Sequence, residues 1–267
     1  MYNNIDRGPV ANVVALHYFE EDTVDPKGLF YFIENWIEVN DLTPTKMGGQ
    51  GDKNITFSRG KKSLEKRNFQ GIKEQGIWIG ALFSEDKIRT EGFDFLMVGK
   101  INYEGDFKER SCVFCWDDQI IPWENYYIKK LVKDLCLFLK PQYGYAFQRE
   151  FKKGPGTYPW GTEVGKISDQ ESKEIMYWGN VGLGPTHSKY QSYMQRDVYP
   201  LNFLSPQHLE AIIGSQTLHQ WILDDPSRGT LEELLPNFWS WAVDSSNLDK
   251  VKTELIPNDL LIAHMNF

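Results

Sequence analysis

Cys112-Val113-Phe114-Cys115 has the spacing of a thiol redox pair or of half a zinc site. Both uses need a turn or helix start that brings the two sulfurs to one side. The surrounding run, 111–116, alternates like a strand, and residues three apart on a strand face opposite ways. No second pair and no nearby histidine completes four ligands, so two buried free thiols are expected. Gly182-Leu183-Gly184-Pro185 has the glycines of a phosphate loop. The Pro185-Thr186-His187-Ser188 that follows supplies neither a lysine before a Ser/Thr nor an acid for a ribose, so a structural turn is expected. His17, His187, His208, His219 and His264 form no HxxxH, HExxH or HxH unit. His187 is the best placed of them, in a Gly/Pro loop. Asp117-Asp118 ahead of Pro122 reads as a solvated turn with a capping role rather than an acid–base pair. There is no nucleophile elbow and no favourable serine, histidine and acid spacing. The expectation is a protein that is not an enzyme and uses no metal or cofactor.

The elements that would position these residues can be read from periodicity. Residues 13–19 read as a buried strand and 26–40 as a helix, with Leu29, Phe30, Ile33, Trp36 and Ile37 at helical spacing. Pro44 and the glycines at 48, 49 and 51 end regular structure. Strands follow at 77–83, 93–103 and 111–116, joined by turns at 84–86 and 104–106, then a helix at 123–139 that stops before Pro141, and a strand at 143–149. A Gly/Pro-rich linker, 152–168, separates an N-terminal half, 1–151, from a C-terminal half, 169–267. In the second half 175–181, 218–223, 238–243 and 260–264 read as strands. Ser205-Pro206 opens a short helix with Gly214 as its stop, and Asn247 opens another at 248–255. The fold class expected is α+β, two consecutive split βαβ-like halves with antiparallel sheets covered by helices.

The segment 176–204, MYWGNVGLGPTHSKYQSYMQRDVYPLNFL, fits neither an amphipathic helix nor an alternating strand. Its pattern of Gly184-Pro185, Arg196-Asp197-Val198-Tyr199-Pro200 and Asn202 is followed by Gly214, Thr217-Leu218, Trp221-Ile222, Gly229-Thr230-Leu231, Trp241 and Val243. It resembles the bacterial immunity protein 52 family, the antidotes that neutralise toxins of type VI secretion and related contact-dependent systems. The resemblance implies a binder rather than a catalyst, acting on a toxin that is often a nuclease. Arg196 and Asp197 are then expected to pair and hold the loop, with Trp178 and Tyr199 packed beside them and Gly184 and Asn202 completing the structural motif. The other reading of the loop is an enzyme or small-ligand site lined by Trp178, His187, Arg196 and Asp197.

Charge supports the first reading. The net charge is −8, and residues 197–267 hold ten acids against Arg228, Lys250 and Lys252. Such a segment repels nucleic acid and attracts a basic protein. Asp224, Asp225, Glu232 and Glu233 flank Trp239 and Trp241, and these six are the candidate toxin-binding residues. Trp239 and Trp241 share one strand face, with Phe238 on the other. The basic run 59–67 has no interleaved aromatics and reads as a solvated helix face or a mobile loop. No secretory leader and no run of eighteen apolar residues is visible, and three cysteines are an odd count, so a soluble cytoplasmic protein is expected.

Overall fold

Residues 10–18, VANVVALHY, form β1 (Val10–Tyr18) in the computed structural model and are buried from Ala11 onward. The structure describes residues 10–18, 25–48, 55–70, 77–83, 95–102, 108–163, 165–181 and 193–265. The chain divides into two compact units, Met1–Pro141 with Gln148–Phe151, and Gln142–Phe147 with Lys152–Phe267.

In unit 1 a proline at the first position and Asp25, which accepts from the Lys27 and Gly28 N–H groups at 3.1 and 2.9 Å, start α1 (Pro26–Val39). It buries Leu29, Phe30, Ile33, Trp36 and Ile37. The strands β2 (Leu42–Gly48), β3 (Ile55–Thr56), β4 (Ile77–Phe83), β5 (Phe95–Asn102) and β6 (Lys108–Asp117) pair antiparallel in the order β1-β6-β5-β4-β2-β3. Alternation makes β1 and β2 parallel, so the β1-α1-β2 unit is split by three strands. Trp36 packs edge-on against Phe114 and Trp116 of β6, which fixes the sheet face that α1 covers. Two further helices lie among the described residues of the unit, α2 (Phe57–Lys66) and α3 (Asn125–Leu135). α3 buries Ile128, Leu131, Val132 and Leu135 and ends four residues short of the expected boundary.

Pro44 does not end regular structure. β2 runs through it with a register shift between Pro44 and Lys46, an irregularity at which a missing N–H is tolerated. The basic run forms α2, where Phe57, Gly60 and Leu64 face inward while Arg59, Lys62, Lys66 and Arg67 are exposed. Cys112 and Cys115 stand opposite Leu16 and Val13 on opposite faces of β6, buried and in no disulfide. Burial pushes the Cys112 thiol well up and the Cys136 thiol up to about 12. The turns expected at 84–86 and 104–106 lie outside the described residues.

Unit 2 takes residues 143–147 of β7 (Tyr143–Glu150). Its other elements are α4 (Asp169–Val181), β8 (Leu201–Leu204), α5 (Pro206–Leu209), the hairpin β9 (Ile212–Ile213) and β10 (Gln216–Thr217), α6 (Leu218–Asp224), β11 (Thr230–Leu235), β12 (Phe238–Ala242) and α7 (Leu248–Leu255). The sheet runs β11-β12-β8-β7, antiparallel throughout. β8 and β11 are therefore parallel and split by β12, a second split unit whose crossover carries α5 and α6. The α+β class holds.

Three strand assignments fail in this unit. Residues 175–181 belong to α4, whose start is capped by Ser168 Oγ accepting from the Glu171 N–H at 3.1 Å. Residues 218–223 belong to α6, opened by a reciprocal capping box between Thr217 and Gln220. Residues 260–264 make one parallel bridge, Gln195 to Leu261, and then the 3₁₀ turn Ile262–His264. Short apolar runs fit either period, and here the cap decided. The stretch 152–168 is built into unit 2: Tyr158 and Pro159 are buried, and Gly161 at φ 71° lies so near α4 that an added Cβ would sit 2.7 Å from the Gly179 Cα.

Candidate functional site

The loop into β8 is fixed first by its backbone. The Gln195 N–H donates to the Leu260 carbonyl, and the Gln195 and Arg196 carbonyls accept from the Ile262 and Ala263 N–H groups, at 2.8 to 2.9 Å. Arg196 and Asp197 are 1% and 4% exposed. They do not pair with each other, contrary to the sequence expectation. Successive side chains of an extended chain point to opposite sides, and each finds its own partners.

Arg196 sits among aromatics. Tyr143 and Tyr145 share a face of β7; the Tyr143 hydroxyl accepts from the Arg196 N–H at 2.8 Å, and the Tyr145 hydroxyl accepts from Nη1 at 2.9 Å. Nη1 also donates to the Tyr158 carbonyl at 2.8 Å. The guanidinium carbon is 3.9 Å from the Tyr158 ring centre, 5.1 Å from that of Trp178 and 5.7 Å from that of Tyr145, cation–π distances in a dry site. Trp178 is held by its indole N–H on the Pro159 carbonyl at 2.6 Å. Among the described residues no carboxylate pairs with Arg196. Burial opposes its charge, yet the facing tyrosine oxygens hold its pKa above the usual arginine value. Burial also pushes the Tyr143 and Tyr199 hydroxyls well up.

Asp197 accepts from Lys252 Nζ of α7 at 2.6 Å and from the Val198 N–H at 2.8 Å, and its Oδ1 is 3.4 Å from His264 Nε2. Burial would raise its pKa, but His264 and Lys252 together hold it below the usual carboxylate value. The same contact raises His264. Tyr199 stacks on Tyr145 at 4.4 Å, and Asn202 brackets it, accepting from its N–H at 3.0 Å and donating to its carbonyl at 2.7 Å. Trp178, Arg196, Asp197, Tyr199 and Asn202 thus form one buried knot. Gly184 and His187 lie outside the described residues. Sequence reasoning missed Tyr143, Tyr145, Tyr158, Lys252 and His264; only the Tyr-x-Tyr alternation on β7 gave a local signal, since the other contacts span 38 to 67 residues.

The acidic residues do not form one patch. Glu232 and Glu233 are both exposed on β11 and, being adjacent, face opposite sides. β11 is the terminal strand of the unit 2 sheet, where charges and the register shift between Glu233 and Leu235 discourage edge pairing. Asp224 is exposed and accepts from Gln216, while Asp225 caps the turn Pro226–Arg228 and meets Lys250 at 3.5 Å. Trp241 is 0% exposed, with its indole N–H on the Arg228 carbonyl at 2.8 Å, so it belongs to the core and not to a partner surface. Trp239 is half-buried and lies across from Glu233 on the same face. Among the described residues no His, Cys, Asp and Glu group could hold a metal ion. Nor is any helix there long and apolar enough to cross a membrane.

These features define an α+β protein with an aromatic-caged arginine. No family model and no curated protein matches the sequence. Among solved structures the fold is similar to that of the Pseudomonas aeruginosa T6SS protein PA0821, with a TM-score of 0.56 and 12% identity over 92% of this chain and 73% of that one. At that identity the likeness is one of fold.

Proposed function

We propose that this protein is a non-enzymatic immunity protein of a type VI secretion setting, acting in the cytoplasm. It binds a cognate basic toxin, of nuclease type, and covers its active site without cofactor, metal or nucleic acid. The observation that carries the reading is the fold shared with a type VI secretion protein over 92% of the chain. The residue pattern across 184–243 that resembles the immunity protein 52 family supports it. The binding face we favour is the rim formed by Glu233 and the half-buried Trp239, with Asp224 and Glu232 acting on a basic partner at longer range. An enzyme with a site at Trp178, Arg196 and Asp197 has less support, because these side chains are packed into the core and each is engaged by structural partners.

The test is co-expression with the toxin encoded beside this gene, together with binding to a catalytically dead form of it. Survival of the cells and a stoichiometric complex are expected. A toxin that kills despite well-folded protein, or the absence of a complex, overturns the proposal.

A further inference from the structure

The basic helix α2 carries charge that toxin binding does not use. Its apolar side is turned inward: Phe57 stacks on Phe30 at 6.0 Å, Leu64 is buried, and Gly60 packs against Met47 of β2. Just beyond the helix Phe69 packs on Phe30 and Tyr31, each at 5.4 Å, and its N–H donates to the Leu64 carbonyl at 2.9 Å, so both ends are pinned. At about 3.6 residues per turn, Arg59, Lys62 and Lys66 fall in one stripe on the side opposite Phe57, Gly60 and Leu64. Arg67 follows at the C-cap, and all of these cations are exposed.

Among the described residues Arg59, Lys62, Lys66 and Arg67 make no ion pair, whereas Lys61 on the flank is held by Glu34 at 2.6 Å. Glu65, the acid of this helix, accepts instead from the Tyr31 hydroxyl at 3.3 Å. Arg59 and Lys62 are spaced i, i+3 and Lys62 and Lys66 i, i+4, spacings at which like charges repel and weaken a helix. A chain of net charge −8 does not need such a cluster for solubility. At physiological salt the Debye length is about 8 Å, so a partner at this face meets these cations and little of the acidic charge beyond that distance. The exposed side chains of α2 include no aromatic or apolar group. The face therefore has neither the stacking platform of a single-strand nucleic-acid binder nor the anchor of a protein hot spot.

We infer that α2 is a peripheral docking face for an anionic phospholipid surface, whose headgroup phosphates Arg59, Lys62, Lys66 and Arg67 meet while the helix stays packed on unit 1. A plane of charge asks no shape complementarity of a convex helix, and each Lys or Arg brought to it strengthens adsorption about fivefold. With no apolar side chain to insert, the attachment is electrostatic and reversed by salt.

The test is cosedimentation of the full-length protein with vesicles of equal parts phosphatidylglycerol and phosphatidylcholine, with pure phosphatidylcholine vesicles as the neutral surface. Binding to the anionic vesicles alone is expected, with release as the salt is raised from about 0.1 to about 1 M, where the Debye length shrinks from about 10 to about 3 Å. Replacing Arg59, Lys62 and Lys66 by glutamine should weaken it about a hundredfold, with the melting temperature kept or raised because the like-charge repulsion is gone. Replacing Lys27, Lys140 and Lys173 by glutamine removes the same charge from exposed positions outside α2 and should leave binding within about fivefold of wild type. No cosedimentation with the anionic vesicles, or an equal loss in the two triple variants, overturns the assignment. So does binding to duplex DNA that is tighter than to the vesicles and lost in the α2 variant, which would make the face one for nucleic acid.

Discussion

Replacing Asp197 by asparagine removes one charge and almost no volume, so it isolates the electrostatic part of the knot. The Val198 N–H keeps an acceptor, but Lys252 loses a charged hydrogen bond of 2.6 Å and His264 a weaker contact of 3.4 Å. The Asp197 side chain is 5% exposed and that of Lys252 27%, so solvent screening is modest. A charged hydrogen bond of this kind contributes about 1.5 to 3 kcal/mol, and the histidine contact adds less, for a loss of about 2 to 4 kcal/mol. At about 3 to 4 °C per kcal/mol, the melting temperature of unit 2 should fall by about 6 to 16 °C. The pH profile gives a second check. His264 is raised in the folded state, so its contribution is complete below its unfolded value near 6.5 and fades as the pH climbs through the raised value. Asp197 is lowered, so its contribution is present above about 3.8 and fades as the pH falls through the lowered value. Stability from the clamp is therefore greatest between these limits, and the decline on its alkaline side should disappear in Asp197→Asn. Urea titrations from pH 4 to 9 measure both effects. A variant within about 1 kcal/mol of wild type that keeps the alkaline slope would refute the clamp.

Arg196→Ala should destabilise by about 2 to 5 kcal/mol, because it empties the cage and leaves buried acceptors unpaired, and Arg196→Lys should rescue only part of this, because an ammonium cannot reproduce the planar stack on Tyr158 while also reaching two oxygens; thermal melts of both variants decide. Trp241→Ala should cost about 3 to 5 kcal/mol in stability, while Trp239→Ala should leave the fold intact and raise the toxin off-rate by about 2 kcal/mol or more, as binding kinetics on the two proteins would register. Reversing Asp224, Glu232 and Glu233 to lysine should slow association and flatten its salt dependence; Asp225 is left in place because it caps a turn, and unaltered rates at two ionic strengths would move the binding face elsewhere. Gly161→Ala should destabilise unit 2, measured by melting, because its φ of 71° and the 2.7 Å approach to Gly179 leave no room for a Cβ.

Where local signals agreed, the chain declared its own structure. Helical apolar spacing from Pro26 marked α1, 77–83 marked β4 to the residue, and Asn247 marked the start of α7. Two caps, Ser168 with Glu171 and Thr217 with Gln220, were equally legible and would have identified α4 and α6, yet apolar runs of six or seven residues suggested strands. The five described motif residues are buried together, but the sequence could not say which partners they take. That choice belongs to tertiary structure. Arg196 depends on Tyr145 and Tyr158, and Asp197 on Lys252 and His264, through contacts that close only when distant segments pack. The same holds for Trp239 and Trp241, alike in sequence and on one strand face: Arg228 and its neighbours cover one and leave the other half open, because burial depends on what lies across the sheet and not on the strand's own pattern.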